Sequence, residues 1–183
     1  MGSTTLRTSF FLRMFGAAAL DTAIYEEVEA DRTATGQAMV VVVLSSLAAG
    51  VGATGRLGMS PGGAITISAI ALIAWAAWAL LTFEIGGRLM PDPQTKVDVG
   101  ELLRTIGFAS APGMLRVFGV IPSVTAPAFA ITTVWMLLAT IVAVRQALDY
   151  TSTARAVAVC ALGWTLAIAF AIALGLFFGP TVS

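Results

Sequence analysis

Histidine is absent from this sequence, cysteine occurs once, and charge is scarce, at 11% of 183 residues against 58% hydrophobic. The missing histidine excludes His-ligated haem, the usual zinc sites, and any triad or dyad with an imidazole base. Cys160 alone allows no disulfide within the chain, and its setting Val-Ala-Val-Cys-Ala-Leu-Gly reads as a small packing residue. A soluble domain carries about a quarter charged residues, so the deficit here cannot keep a water-facing surface in solution. Ten basic and ten acidic residues cancel, and bulk charge points to no nucleic-acid partner. Phosphate loops, metalloprotease motifs and nucleophile elbows are missing too. No catalytic residue, metal or cofactor is expected.

What the chain has is long apolar runs. Four reach about the twenty residues that a helix needs to cross hydrocarbon, at about 37–54, 62–83, 124–144 and 156–178. Backbone groups in lipid must be satisfied within the segment, so these are expected as helices. Pro61 stands just ahead of the second run, where its missing N–H costs nothing, and Gly179 and Pro180 close the last.

A fifth segment, spanning about 101–121, contains Glu101, Arg104 and Arg116, with Pro112 near its middle. On a straight helix the two arginines stand about 18 Å apart, less than the roughly 30 Å of hydrocarbon. Either both snorkel to opposite faces of a short span, or the segment dips in and returns. Pro112 permits a kink, and the small residues Gly107, Ser110 and Gly113 let neighbouring backbones approach closely. Arg116 reads as an anchor at the outer interface or as a buried cation, which is costly within a membrane and therefore suspect; the anchor is preferred.

Positive charge favours a full crossing. With a cytoplasmic N-terminus, five spans place Arg7, Arg13, Arg32, Arg88, Lys96, Arg104, Arg145 and Arg155 inside, and Arg56 and Arg116 outside. That is eight against two; a re-entrant third segment gives seven against three. Ahead of the spans, residues 9–31 read as one amphipathic interfacial helix, capped by Ser9, with Phe10, Phe11, Met14 and Phe15 on its apolar arc. Arg13 and Asp21 interrupt what otherwise imitates a signal peptide, so the segment is expected to be retained. The fold expected is an all-α integral membrane protein, a five-span helical bundle with an N-terminal interfacial helix.

The densest polar feature is Tyr25, Glu26, Glu27, Glu29 and Asp31. It reads as a cation or docking site, or more plainly as a solvated helix face. Glu84 and Glu101 fall on the same predicted side, and Glu101 and Arg104 can pair at i, i+3. The interfacial helix is expected to fold under the bundle and bring Tyr25, Glu26 or Glu27 toward Glu84 and the Glu101–Arg104 turn. Removing Arg104 should then destabilise more than removing Arg56. The run from Gly107 to Gly113 reads as tight packing with a kink, or as a broken-helix site of the transporter kind. Trp75, Trp78, Trp135 and Trp164 read as packing or lipid-facing residues rather than a substrate cage.

Several of these pieces occur in a telling order: Tyr25-Glu26-Glu27 with Asp31, Ala34-Thr35-Gly36-Gln37-Ala38, the run LLRTIGFASAPG at 102–113, Val134-Trp135-Met136, and Arg145-Gln146-Ala147-Leu148-Asp149-Tyr150. Together they resemble prokaryotic members of the Yip domain family, named for Ypt/Rab-interacting proteins, over about residues 10–164. The resemblance implies five spans, a cytoplasmic N-terminus and an external C-terminus. Eukaryotic relatives are linked to Rab GTPases and Golgi traffic; the Ala-rich composition and short loops here look bacterial, with the inner membrane as the expected location. The family brings no enzyme chemistry. The expected function is a non-catalytic membrane scaffold or accessory subunit, with membrane lipids, other membrane proteins or a homo-oligomer as partners. The alternative is a transporter or channel for small solutes, ions or lipids.

Overall fold

The computed structural model describes residues 9–58, 60–95 and 98–178, with backbone alone at 56–57, 167–168 and 170–178. Arg7, Lys96, the Arg56 side chain, the stop at Gly179 and Pro180, and the C-terminal tail lie outside the described residues. Those described fold into seven α-helices and no strand: α1 Phe10–Ala18, α2 Thr22–Ala30, α3 Ala34–Leu57, α4 Pro61–Glu84, α5 Val99–Ala109, α6 Thr125–Ala147 and α7 Thr153–Phe178. A π-helical turn, Ile85–Leu89, continues α4, and a 3-10 helix, Ala111–Val120, follows α5. Among the described residues three helices are long and apolar enough to cross a membrane: Ala34–Gly55, Pro61–Leu89 and Thr125–Ala147. The described apolar part of α7 is Thr153–Leu166.

Local chemistry sets the boundaries. The Ser9 hydroxyl accepts from Leu12 N, and the Asp21 carboxylate accepts from Ala23 N, capping α1 and α2. Between them Leu20 takes a left-handed φ of 65°, which costs a non-glycine residue about 1–2 kcal/mol. The segment expected as one interfacial helix over 9–31 is therefore a hairpin of two helices. Gly58, at φ 57°, ends α3, and Ser60 with Pro61 at the first turn opens α4. Asp98 caps α5 by accepting from Glu101 N at 3.0 Å.

α5 stops at Ala109 because Pro112 has no N–H to give and its ring crowds the carbonyl four residues back. The chain does not kink and resume as an α-helix; it tightens into ten residues of 3-10 helix. The third segment is thus two helical pieces.

α3 is the pillar of the bundle: 56% of its apolar stretch is buried, against 22% for that of α6 and 6% for that of α4. Its contacts with the third segment advance together along both chains. Gly107 lies on Ala38, Gly113 on Ser45, Gly52 under the Arg116 carbonyl, and Gly55 under the carbonyls of Gly119 and Val120. The two strands of chain therefore run parallel, side by side, for about 26 Å of α3. Small residues at this seam let backbones touch. On its other flank Gly50 of α3 meets Ser68 and the Ala64 carbonyl of α4.

Candidate functional site

The polar end of the bundle is organised by an arginine. Arg13 is 2% exposed. Its guanidinium donates from Nε and Nη2 to Glu27 Oε1 at 3.0 and 2.8 Å, from Nη2 to Asp31 Oδ2 at 2.8 Å, and from Nη1 to Gln37 Oε1 at 3.1 Å. One side chain thereby ties α1, α2 and the first turn of α3. Burial alone would discourage its charge, but the hydrogen bonds and charges of Glu27 and Asp31 outweigh it and raise its pKa. Asp31 Oδ1 also accepts from Thr33 N and Thr33 Oγ1, at 2.9 and 2.6 Å. Glu27 and Asp31 are thus committed to the fold, not held out as a solvated face.

Four further donors serve helix termini, whose last carbonyls have no partner within the helix. Tyr25, fully buried, donates from its hydroxyl to Ala17 O at 3.0 Å. Trp135 Nε1 donates to Ala18 O at 2.7 Å. Arg104, 4% exposed, donates from Nε to Val28 O at 3.0 Å and from Nε and Nη2 to Glu29 O. A cation on the C-terminal carbonyls of α2 also meets the negative end of the helix dipole. Tyr150 Oη is shared between Gly86 O and Met90 O at 2.8 and 2.9 Å, closing the turn after α4.

This corrects the expected cluster. α2 does reach Arg104, but through backbone carbonyls, and no Glu101–Arg104 ion pair forms among the described residues. The reason is geometric: the buried end of α2 offers acceptors inside the bundle, where the guanidinium already points. Glu84 stays apart, exposed and paired with Arg88 at 2.8 Å. Glu26 accepts from Gln146 Nε2 at 3.0 Å on the surface. Of the packing residues, Gly107 would set a Cβ 2.8 Å from that of Ala38, Gly113 faces Ser45, and Ser110 Oγ donates to Ile106 O at 3.3 Å. Pro112 is buried at the start of the 3-10 helix.

Glu29 is the titratable group of this end. Burial first, then the negative charges of Asp149, Glu101 and Glu26, raise its pKa from 4.5 to about 7, with Arg104 opposing. Between those values the folded chain holds a proton that the unfolded chain has released. Stability therefore falls as pH rises through about 4.5 to 7 and stays lower above. With screening by solvent allowed for, the loss is about 1–2 kcal/mol. Thermal unfolding of wild type and Glu29→Gln at pH 5 and pH 8 checks this: the wild type should lose stability over that interval and the variant should not.

A concavity with polar groups lies elsewhere, half-way along the bundle. A cavity of about 390 Å³ separates α4 from α6, with α5 and the 3-10 helix at its floor and Trp164 of α7 at one end. A small lobe of about 40 Å³ adjoins it toward Ser45 and Ser46 of α3. Arg116 reaches both. Its Nε and Nη2 donate to Thr132 Oγ1 and Thr133 Oγ1 at 3.2 and 3.0 Å, and Cζ stands 5.4 Å from the centre of the Phe129 ring. The expected outer anchor instead turns inward. Three of the four tryptophans, Trp75, Trp78 and Trp164, line this space, Trp78 and Trp164 meeting edge to face at 6.1 Å. Sequence reading missed the site because its residues come from five elements. The available signal was an arginine in an apolar segment without an acidic neighbour in sequence.

Fold and composition together define an all-helical membrane protein. No known family model, curated protein or solved structure matches the chain. Among the described residues no group of three His, Cys, Asp or Glu is placed to hold a metal ion.

Proposed function

We propose that the chain is a non-catalytic scaffold or accessory subunit of the Yip type, with five spans, a cytoplasmic N-terminus and an external C-terminus. The observation that carries this reading is the use made of the polar side chains. Arg13, Arg104, Tyr25, Tyr150 and Trp135 all join one element to another, and four of them do so through carbonyls at helix ends. Such a bundle is braced internally, while α4 turns Ile65, Ile73 and Leu80 outward, each more than 60% exposed. That apolar face serves lipid, or a second copy or another membrane protein. A lone thiol at Ile73, in a Cys160→Ala background, should cross-link copies in mild detergent. A strictly monomeric protein that brings nothing with it from native membranes counts against the scaffold.

The five-span reading is supported by the parallel seam between α3 and the third segment, which gives that segment the same direction as a spanning helix over about 26 Å. Thiols placed at Gly58 should react from outside, and those at Asp92 and Thr151 only after permeabilisation. External labelling at Thr151 would overturn five spans in favour of a re-entrant third segment. The carrier alternative draws support from the cavity beside Arg116. Liposome flux lost in Arg116→Gln would favour it over the scaffold.

A further inference from the structure

The cavity between α4 and α6 has a mostly apolar wall, carries the Arg116 cation, and has no carboxylate among its lining residues. Among the described residues no carboxylate lies within ion-pair distance of the Arg116 guanidinium, which is held by two threonine hydroxyls and an aromatic ring. Trp75 lines both lobes, and its Nε1–H is buried without a hydrogen-bond acceptor. A buried donor left unmet costs about 1–3 kcal/mol, more if charged. Arg116 lines the same two lobes, so a full positive charge and an unmet N–H share one low-dielectric space. The complementary species is an oxyanion.

The rest of the wall is apolar: Ala71, Ala74 and Trp78 of α4, Met136 and Leu137 of α6, and Trp164 of α7. Its volume falls in the range of ligand pockets, roughly 300–1,000 Å³. A bare inorganic anion would leave that wall unfilled, and a neutral chain would leave the guanidinium and the indole N–H unmet. We propose that the cavity binds a single-chain anionic amphiphile, a carboxylate or phosphate monoester on an apolar tail. The oxyanion sits between Arg116 and Trp75 Nε1, and the tail lies between α4 and α6 among the three indoles. This binding goes beyond the scaffold reading and holds whether or not the chain moves the ligand.

Three tryptophans at the site provide the measurement. The full chain in nonionic detergent is titrated with bromine-labelled stearic acid, whose bromine quenches indole emission on contact. Saturable quenching is expected in the wild type, with its midpoint raised about 10–100-fold in Arg116→Gln, the loss of one charged hydrogen-bonding partner. Trp75→Phe keeps an aromatic ring in place and removes only the orphan donor; read through Trp78 and Trp164, its midpoint should rise about 10-fold. That second variant decides the matter should Arg116→Gln fail to fold. Equal midpoints in wild type and Trp75→Phe overturn the proposal. So does the matching brominated alcohol binding as tightly as the acid. Displacement of the brominated acid by inorganic phosphate at like concentration overturns the amphiphile in favour of a free anion.

Discussion

Arg13→Ala is expected to lower unfolding free energy by about 3–5 kcal/mol, the cost of breaking a desolvated ionic network. Three helices meet at this guanidinium, and the substitution removes the partner that Glu27, Asp31 and Gln37 share. The two carboxylates are themselves largely shielded, at 31% and 17% exposure, so water cannot replace the lost partner in full. The control is Arg88→Ala, whose pair with Glu84 is exposed on both sides and worth about 0–1 kcal/mol. Both are read as apparent melting temperature in one mild detergent. Equal melting of the two variants would remove Arg13 as the organiser of the N-terminal hairpin.

A second large effect is expected at Gly52. A Cβ there would strike the Arg116 carbonyl oxygen, a backbone atom that cannot swing aside. Gly52→Val must therefore push the 3-10 helix away from α3, and overpacking of this kind costs about 1–3 kcal/mol or more. Gly36 lies in the same helix with nothing within 4 Å of its would-be Cβ. Gly36→Ala should stabilise by about 0.5–1 kcal/mol, because it only removes backbone freedom from the unfolded chain. Opposite signs from two glycines of one helix separate close packing from helix propensity. A melting point for Gly52→Val at or above wild type would show that the seam is looser than its geometry.

The long helices were legible because an apolar run of twenty residues has few alternatives in lipid. Their ends were legible where a cap or a proline marked them, as at Ser60 and Pro61. The break at Leu20 was harder: leucine is no turn former, and only the capping residue Asp21 signals a restart. Pro112 announced an interruption, yet nothing local says that the chain continues as a 3-10 helix; contact with α3 decides that. The pairing of the polar residues differs from the one that sequence spacing suggests. Sequence spacing favours Glu101 with Arg104, whereas burial gives Arg104 the carbonyls of α2 and gives the carboxylates to Arg13. For Arg116 the sequence left an outer anchor and a buried cation open and favoured the first, since distance along the chain says nothing about the direction in which a side chain leaves it.

The ten-residue 3-10 helix gives the bundle a kind of vernier. It advances about 2.0 Å per residue where an α-helix advances about 1.5 Å, so it reaches about 5 Å further than the same residues wound as α. Its three-residue turn also stacks Gly113, Arg116 and Gly119 in one straight row. An α-helix would rotate each successive member of that row by about 60°. The tight winding therefore sets both the height and the azimuth of Arg116, stretching the third segment to keep pace with α3 while holding the guanidinium toward α6. Rewinding these residues as α would shorten the segment and swing the arginine out of the space it now fills.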